Sequence, residues 1–106
     1  MLKLLHVRLF NEMNVTHNIK NTIELHYLIA LEYLKEHKIM ECENNCRIAY
    51  NMCKKYKMIR IDVVDLLLRV FQMTGDKEQY RIFLKAKLKL LELLEEKVPT
   101  TVISEE

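Results

Sequence analysis

The sequence has very little glycine and proline, with one residue of each among its 106. Hairpin turns depend on glycine for positive φ angles and on proline for a fixed φ, so a hairpin-rich β architecture is not expected. Long apolar runs are also missing, and none approaches the ~20 residues that cross a bilayer. The first ten residues lack the apolar stretch and small-residue cleavage site of a signal peptide. We therefore expect a cytoplasmic protein without membrane contact.

An excess of one charge is lacking as well, because the net charge is only +2. General attraction to nucleic acid is not expected from this value, so any basic surface must be local. Hydrophobic residues make up 50% of the chain and charged residues 30%, which is the composition of a folded globular protein. The sequence predicts one domain over residues 1–99 and a flexible tail over residues 100–106, where hydrophobic periodicity is absent.

The three cysteines are the residues that most suggest chemistry. An odd number of cysteines without a secretory signal favours reduced thiols. Cys42, Cys46 and Cys53, with His37 nearby, could supply thiolate and imidazole ligands to zinc, but the close Cys-x-x-Cys pairs of structural zinc sites are absent. Their spacing instead follows one face of a helix, which favours buried thiols in a helix interface. A metal-stabilised fold stays open as a minor alternative.

Catalysis by one of these thiols would need an adjacent base, and His37 is the only candidate. No third orienting group or anion-binding glycine loop accompanies the pair. We therefore expect no enzymatic activity, no catalytic residue, no metal and no cofactor.

Hydrophobic periodicity predicts helices over most of the chain. The first clear helix follows a capping signal at Asn21 and ends near residue 37, and the second spans about residues 43–57. Asp62 is the predicted cap of an apolar central helix, which Gly75 closes in a left-handed conformation. Asp76 then caps a helix over residues 77–96, and Pro99 ends it. The N-terminal segment fits a helix or a strand, and we favour a helix because no second strand is available.

A shift of 34 residues aligns the two predicted helix pairs. Under this shift Ala30 falls on Val64, Tyr33 on Leu67, Leu34 on Leu68, His37 on Phe71, Cys46 on Tyr80 and Tyr50 on Leu84. The spacing is that of tetratricopeptide repeats, in which antiparallel helix pairs stack to share one core. The predicted fold class is all-α, a tetratricopeptide-like stack of antiparallel pairs with about five helices.

Residues 65–80, followed by residues 83–94 and Val98-Pro99, resemble the bacterial transcriptional activator domain. This tetratricopeptide-like helical module occurs beside winged-helix DNA-binding domains in transcription regulators, and the resemblance covers residues 23–99. The chain departs from the family in two places: residues 57–61 replace a proline between the helix pairs, and Lys97 stands where the family has glycine. No DNA-binding domain is present in the sequence. The resemblance therefore implies an isolated regulatory module, a part of a larger protein or a free-standing relative.

The leading hypothesis for function is a protein-interaction module of a transcription regulator. It would transmit contacts between a DNA-binding domain and polymerase, an effector or a second copy of itself. The alternative is a small free-standing helical protein that binds nucleic acid through the basic cluster of residues 54–60. The candidate partner-binding residues are Tyr33, Tyr50, Lys54, Lys55, Tyr56 and Arg60.

Overall fold

A computed structural model describes residues 2–11 and 18–97, and within these ranges all regular structure is α-helical. The helices are α1 (Leu2–Asn11), α2 (Ile19–Lys35), α3 (Ile39–Lys55), α4 (Ile61–Thr74) and α5 (Lys77–Lys97). The all-α prediction is confirmed, and the N-terminal segment is a helix. The predicted tail and the predicted helix stop at Pro99 lie outside the described residues.

The turn between α4 and α5 has the predicted geometry. Gly75 adopts a left-handed φ of 79°. The N–H of Asp76 donates to the carbonyl oxygen of Phe71 at 3.0 Å, which closes α4 with a Schellman-type bond. Oδ1 of Asp76 then accepts the N–H of Gln79 at 3.1 Å and caps α5. The glycine therefore ends one helix and the aspartate begins the next.

The turns after α2 and α3 close in the same way without glycine. His37 and Lys57 take φ values of 62° and 57°. The residue after each of them donates its N–H to a carbonyl five residues back, from Lys38 to Tyr33 at 2.9 Å and from residue 58 to residue 53 at 2.8 Å. Non-glycine residues rarely adopt this conformation, so both turns hold backbone strain that Gly75 avoids.

The starts of α2 and α4 differ from the predicted caps. Oδ1 of Asn18 accepts the N–H of Asn21 at 3.0 Å, so the asparagine predicted as the cap lies inside the first turn. Asp62 also lies inside the first turn of α4, where its Oδ1 accepts the N–H of Val63 at 2.9 Å. The third helix begins at residue 39, before the predicted residue 43. Asn18 caps α2 with its side chain, whereas the N-cap residues of α3 and α4 make no side-chain capping hydrogen bond.

The helix α4 lies at the centre of the core, between α3 and α5. Its buried side chains are Val63, Val64, Leu66, Leu67, Leu68, Val70 and Phe71. The three cysteines of α3 pack into the same cluster. A smaller cluster joins α1 to α2 through Leu5, Leu9, Leu25 and Ile29. The prediction that the apolar segment after Asp62 forms a central helix is confirmed.

The stacked helix pairs do not follow the 34-residue shift throughout. Ala30 and Val64, which the shift pairs, are both buried. His37 is exposed in a turn, whereas Phe71, which the shift places on it, is buried in α4. The starts of α2 and α4, and those of α3 and α5, also lie further apart than 34 residues. The helices pack as pairs, and the tetratricopeptide arrangement of these pairs stays a prediction.

Candidate functional site

The last helix is longer than the helix against which it packs, with 21 residues in α5 and 14 in α4. An ion pair of 2.7 Å between Asp65 and Lys87 and the ring contact of Phe71 with Phe83 set an antiparallel register. At 1.5 Å per residue, α5 therefore extends roughly 8 Å past the start of α4. Its C-terminal leucines face the segment that joins α3 to α4.

An apolar groove lies where this extension meets the rest of the fold. One arm, of about 400 Å³, lies between α3 and α5, and the other, of about 310 Å³, lies between the start of α2 and α5. Residues 57–60 line both arms, and we call the two arms together the basic groove. Its apolar lining consists of Ile23, Cys53, Met58, Ile59, Leu90, Leu93 and Leu94. Its polar lining consists of Lys20, Tyr50, Lys54, Lys57 and Arg60.

The rim of the basic groove carries positive charge. Within the part of the chain that the structure describes, no aspartate or glutamate lines either arm. Nζ of Lys54 lies 5.6 Å from the ring centre of Tyr50, and that ring packs edge-on against Phe83 with centres 5.0 Å apart. Burial raises the pKa of Tyr50, so its phenol stays a hydrogen-bond donor at neutral pH. The groove therefore favours a ligand with apolar groups and negative charge.

Arg60 is held by its own chain. Its Nε and Nη2 donate to the carboxylate of Asp62 at 2.9 and 2.8 Å, and Nη2 lies 2.8 Å from Oε1 of Glu24. The guanidinium also lies 5.3 Å from the ring centre of Tyr27. The hydrogen bonds from Arg60 lower the pKa of Asp62 below its ordinary value. Arg60 thus joins α2 to the start of α4 and fixes one wall of the groove, with its charge largely balanced.

The basic groove brings together half of the predicted partner-binding residues. These are Tyr50, Lys54 and Arg60. Lys55 and Tyr56 lie at the end of α3 and contact each other, with Nζ of Lys55 5.4 Å from the Tyr56 ring centre, but they do not line the groove. Tyr33 lies near the other end of α2, where its ring contacts His6 of α1. Sequence reasoning missed Lys20 and the leucines of α5, although the unequal lengths of the last two helices were a usable signal.

The three cysteines are buried and free, as the helical spacing predicted. Sγ of Cys46 donates to the carbonyl oxygen of Val63 at 3.2 Å, which joins α3 to α4. Burial raises the pKa of Cys42 to about 11 and raises the pKa of Cys46 and Cys53 as well. These thiols are protonated and weakly nucleophilic at neutral pH. Across residues 2–11 and 18–97, no group of three or more His, Cys, Asp or Glu residues is placed to hold a metal ion.

Two further observations bear on the class of the protein. No helix within the described ranges is both long and apolar enough to cross a membrane. Comparison with protein-family models, with curated proteins and with solved structures found no match. A proposal for function therefore rests on the geometry and charge of the basic groove.

Proposed function

We propose that this chain is a non-enzymatic protein-interaction module whose basic groove binds an acidic amphipathic segment of a partner protein. The observation that supports the proposal is the apolar groove with a lysine rim and, among described residues, no lining carboxylate. Amphipathic helices bind such grooves through apolar side chains repeated every three or four residues. Acidic side chains on the same helix would meet the rim lysines and favour the correct partner.

The rim lysines are suited to this role because their charges are not neutralised locally. Lys20 and Lys57 make no ion pair with another described residue. Nζ of Lys54 lies over the ring of Tyr50 and makes no ion pair within the described residues, and a cation over an aromatic ring keeps its charge. A groove of this size gives a small, transient interface below about 1,200 Å², for which micromolar affinity is expected.

The partner class that we propose is a component of bacterial-type transcription regulation, such as a DNA-binding domain or polymerase. This part of the proposal rests on the resemblance of residues 65–80 to the bacterial transcriptional activator domain. A cytoplasmic location would accompany such a role.

Nucleic acid is the competing ligand class, through the cluster of residues 54–60. Lys54, Lys55 and Lys57 are exposed and could contact phosphates. Arg60, the only arginine of the cluster, is already paired with Asp62 and Glu24. A bidentate guanidinium contact to a phosphate or a base would have to break these bonds. The structure therefore favours a protein partner over nucleic acid.

The proposal is tested with a fluorescent model peptide of about 16 residues, with leucines on one helical face and glutamates on the other. We expect saturable binding by fluorescence anisotropy, and no binding of a counterpart with lysines in place of the glutamates. The double variant Lys54→Glu with Lys57→Glu should weaken binding about tenfold or more. The double variant Lys3→Glu with Lys77→Glu is the matched control, because it makes the same change in net charge at exposed positions distant from the groove.

Two results would contradict the proposal. Equal loss of binding in both double variants would mean that net charge, and not the groove, attracts the peptide. Absence of peptide binding, together with binding of a duplex oligonucleotide that weakens steeply as salt rises, would assign the cluster to nucleic acid.

A further inference from the structure

A second apolar surface of α5 is directed away from the core and from the basic groove. Leu84, Leu88 and Leu91 follow each other at steps of four and three residues, so they lie on one side of the helix. They are 37, 55 and 38% exposed, whereas Phe83, on another side of α5, is buried. We call these three leucines the α5 stripe. A continuous apolar stripe on a soluble protein commonly marks an interaction surface.

The two ends of the α5 stripe carry opposite charges. Arg81 lies seven residues before Leu88, and Glu95 lies seven residues after it, so both continue the line of the stripe. Both side chains are exposed. Neither forms an ion pair with another residue in the described part of the chain. The stripe therefore reads Arg, Leu, Leu, Leu, Glu, with near-symmetric spacing about Leu88.

We propose that the α5 stripe is the interface between two copies of this chain, with their α5 helices antiparallel across a two-fold axis at Leu88. In an isologous contact each residue meets its symmetry equivalent or a reciprocal partner. Leu88 then meets Leu88 of the second copy, and Leu84 meets Leu91. Arg81 meets Glu95 at both ends of the interface. This inference is independent of the ligand proposed for the basic groove.

The charges at the two ends of the α5 stripe favour an antiparallel orientation. They also favour a second copy of this chain as the partner. Parallel pairing would place Arg81 beside Arg81 and Glu95 beside Glu95, and like charges at such positions repel. Antiparallel pairing converts the same four residues into two ion pairs. A partner helix that lacked this mirrored pattern would leave at least one end of the stripe unpaired. The surface of α5 is thus complementary to itself.

The expected dimer is weak. A single pair of facing helices buries less than about 1,200 Å², the lower limit of stable interfaces, so a dissociation constant of roughly 10 to 500 µM is expected. Sedimentation equilibrium over about 10 µM to 1 mM protein covers this range. We expect the weight-average mass to rise from that of one chain toward that of two, and to rise less at high salt, because the terminal ion pairs are screened.

The first variant is Leu88→Lys, which would bring two lysines together on the two-fold axis. It should abolish dimerisation, and because Leu88 is 55% exposed, helicity by circular dichroism should be unchanged. Ile82→Lys is the matched control, since Ile82 is 50% exposed on another side of the same helix. The control variant should dimerise like the parent.

Charge reversal tests the pairing directly. Arg81→Glu alone and Glu95→Arg alone should each weaken the dimer about fivefold or more, and the double variant should restore it. A mixture of the two single variants should form heterodimers, because each heterodimer contains two opposite-charge pairs.

A monomer at every concentration would overturn the proposal. If the parent protein were a monomer and Leu88→Lys also lowered its stability, the α5 stripe would be covered by another part of the same chain. A dimer that survives Leu88→Lys but is lost in Val7→Lys would place the interface on α1, where Val7 is 53% exposed. Failure of the double charge reversal to restore the dimer would overturn the antiparallel pairing.

Discussion

Replacement of Gly75 by alanine should destabilise the fold through backbone conformation alone. Gly75 has a φ of 79°, and a Cβ atom built on it would meet no heavy atom within 4 Å. Steric conflict with neighbouring residues is therefore absent, and the cost comes from placing an L-residue in the left-handed region. The effect should be confined to the turn between α4 and α5, which positions the helix that lines the basic groove.

The size of this effect follows from two opposing terms. A left-handed conformation costs a residue with a Cβ about 1–2 kcal/mol. Alanine also restricts the unfolded chain, which returns about 0.4–1 kcal/mol. The net loss for Gly75→Ala should be about 1 kcal/mol. Gly75→Asn should lose less, because asparagine tolerates this conformation better than alanine.

The reverse substitution should have the opposite sign. Lys57 has a φ of 57° in a turn with the same hydrogen-bond pattern as that of Gly75. Lys57→Gly removes the strain, and the freedom that glycine adds to the unfolded chain offsets only part of this gain, so the variant should stabilise the fold by about 0.5–1 kcal/mol. His37→Gly, at a φ of 62° after α2, should behave similarly without altering the rim of the groove.

Urea denaturation followed by circular dichroism measures these differences. The midpoint should shift in the stated directions while the slope m stays constant, which would show that only stability has changed. The double variant Gly75→Ala with Lys57→Gly should have nearly the stability of the parent, because the two turns lie at different helix ends and their effects should add. An unchanged midpoint in Gly75→Ala, or a lowered midpoint in Lys57→Gly, would refute the assignment of backbone strain to these turns.

Three further outcomes follow from buried groups and from the two surfaces of α5. Burial lowers the pKa of His26 below 6.5, so the unfolded chain binds the proton first and the stability of the fold should decrease as the pH drops below about 6.5. His26→Gln should reduce this pH dependence in urea melts at about pH 7.5 and 5. An unchanged pH dependence in the variant would contradict the assignment to His26. The three thiols of α3 are buried with raised pKa values, so Ellman's reagent should label none of them in the native protein and all of them in denaturant; rapid native labelling would contradict their burial. Leu93→Ser should weaken binding of the acidic peptide and leave dimerisation unchanged, whereas Leu88→Ser should weaken dimerisation and leave peptide binding unchanged. If either variant weakened both peptide binding and dimerisation, the two surfaces would not be separate.

The sequence predicted the helices well where hydrophobic periodicity and turn chemistry agreed. The turn at Gly75 and Asp76 carried both the residue that tolerates a left-handed φ and a capping side chain, and its geometry was confirmed. His37 and Lys57 adopt the same conformation without the residue type that signals it. Tertiary packing of the flanking helices overrides local preference at these positions. The 34-residue shift, which was deduced from apolar positions, therefore matched the exposed His37 with the buried Phe71. The same shift matched Ala30 with Val64, and both of these residues are buried.

The basic groove was harder to predict because it depends on distances between elements. The basic cluster of residues 54–60 was visible in the sequence, but its partners were not. Arg60 pairs with its sequence neighbour Asp62 and also with Glu24, which is distant in sequence and belongs to another helix. Lys20 and Leu94 meet at the groove only because α5 extends past α4. Hydrophobic periodicity within one helix does not predict which residues of different helices lie close together.

The position of α5 at the end of the stack explains why both proposed surfaces involve it. α4 has neighbours on both sides and buries apolar residues around most of its circumference, whereas α5 packs mainly on α4. A terminal helix in a stack needs a polar outer face to remain soluble alone. α5 instead carries Leu93 on the groove side and Leu88 on roughly the opposite side, both exposed. Because these two sides of α5 do not overlap, one chain could bind a ligand in the basic groove and a second copy through the α5 stripe at the same time. The two proposals together therefore predict an assembly of two chains with two ligands.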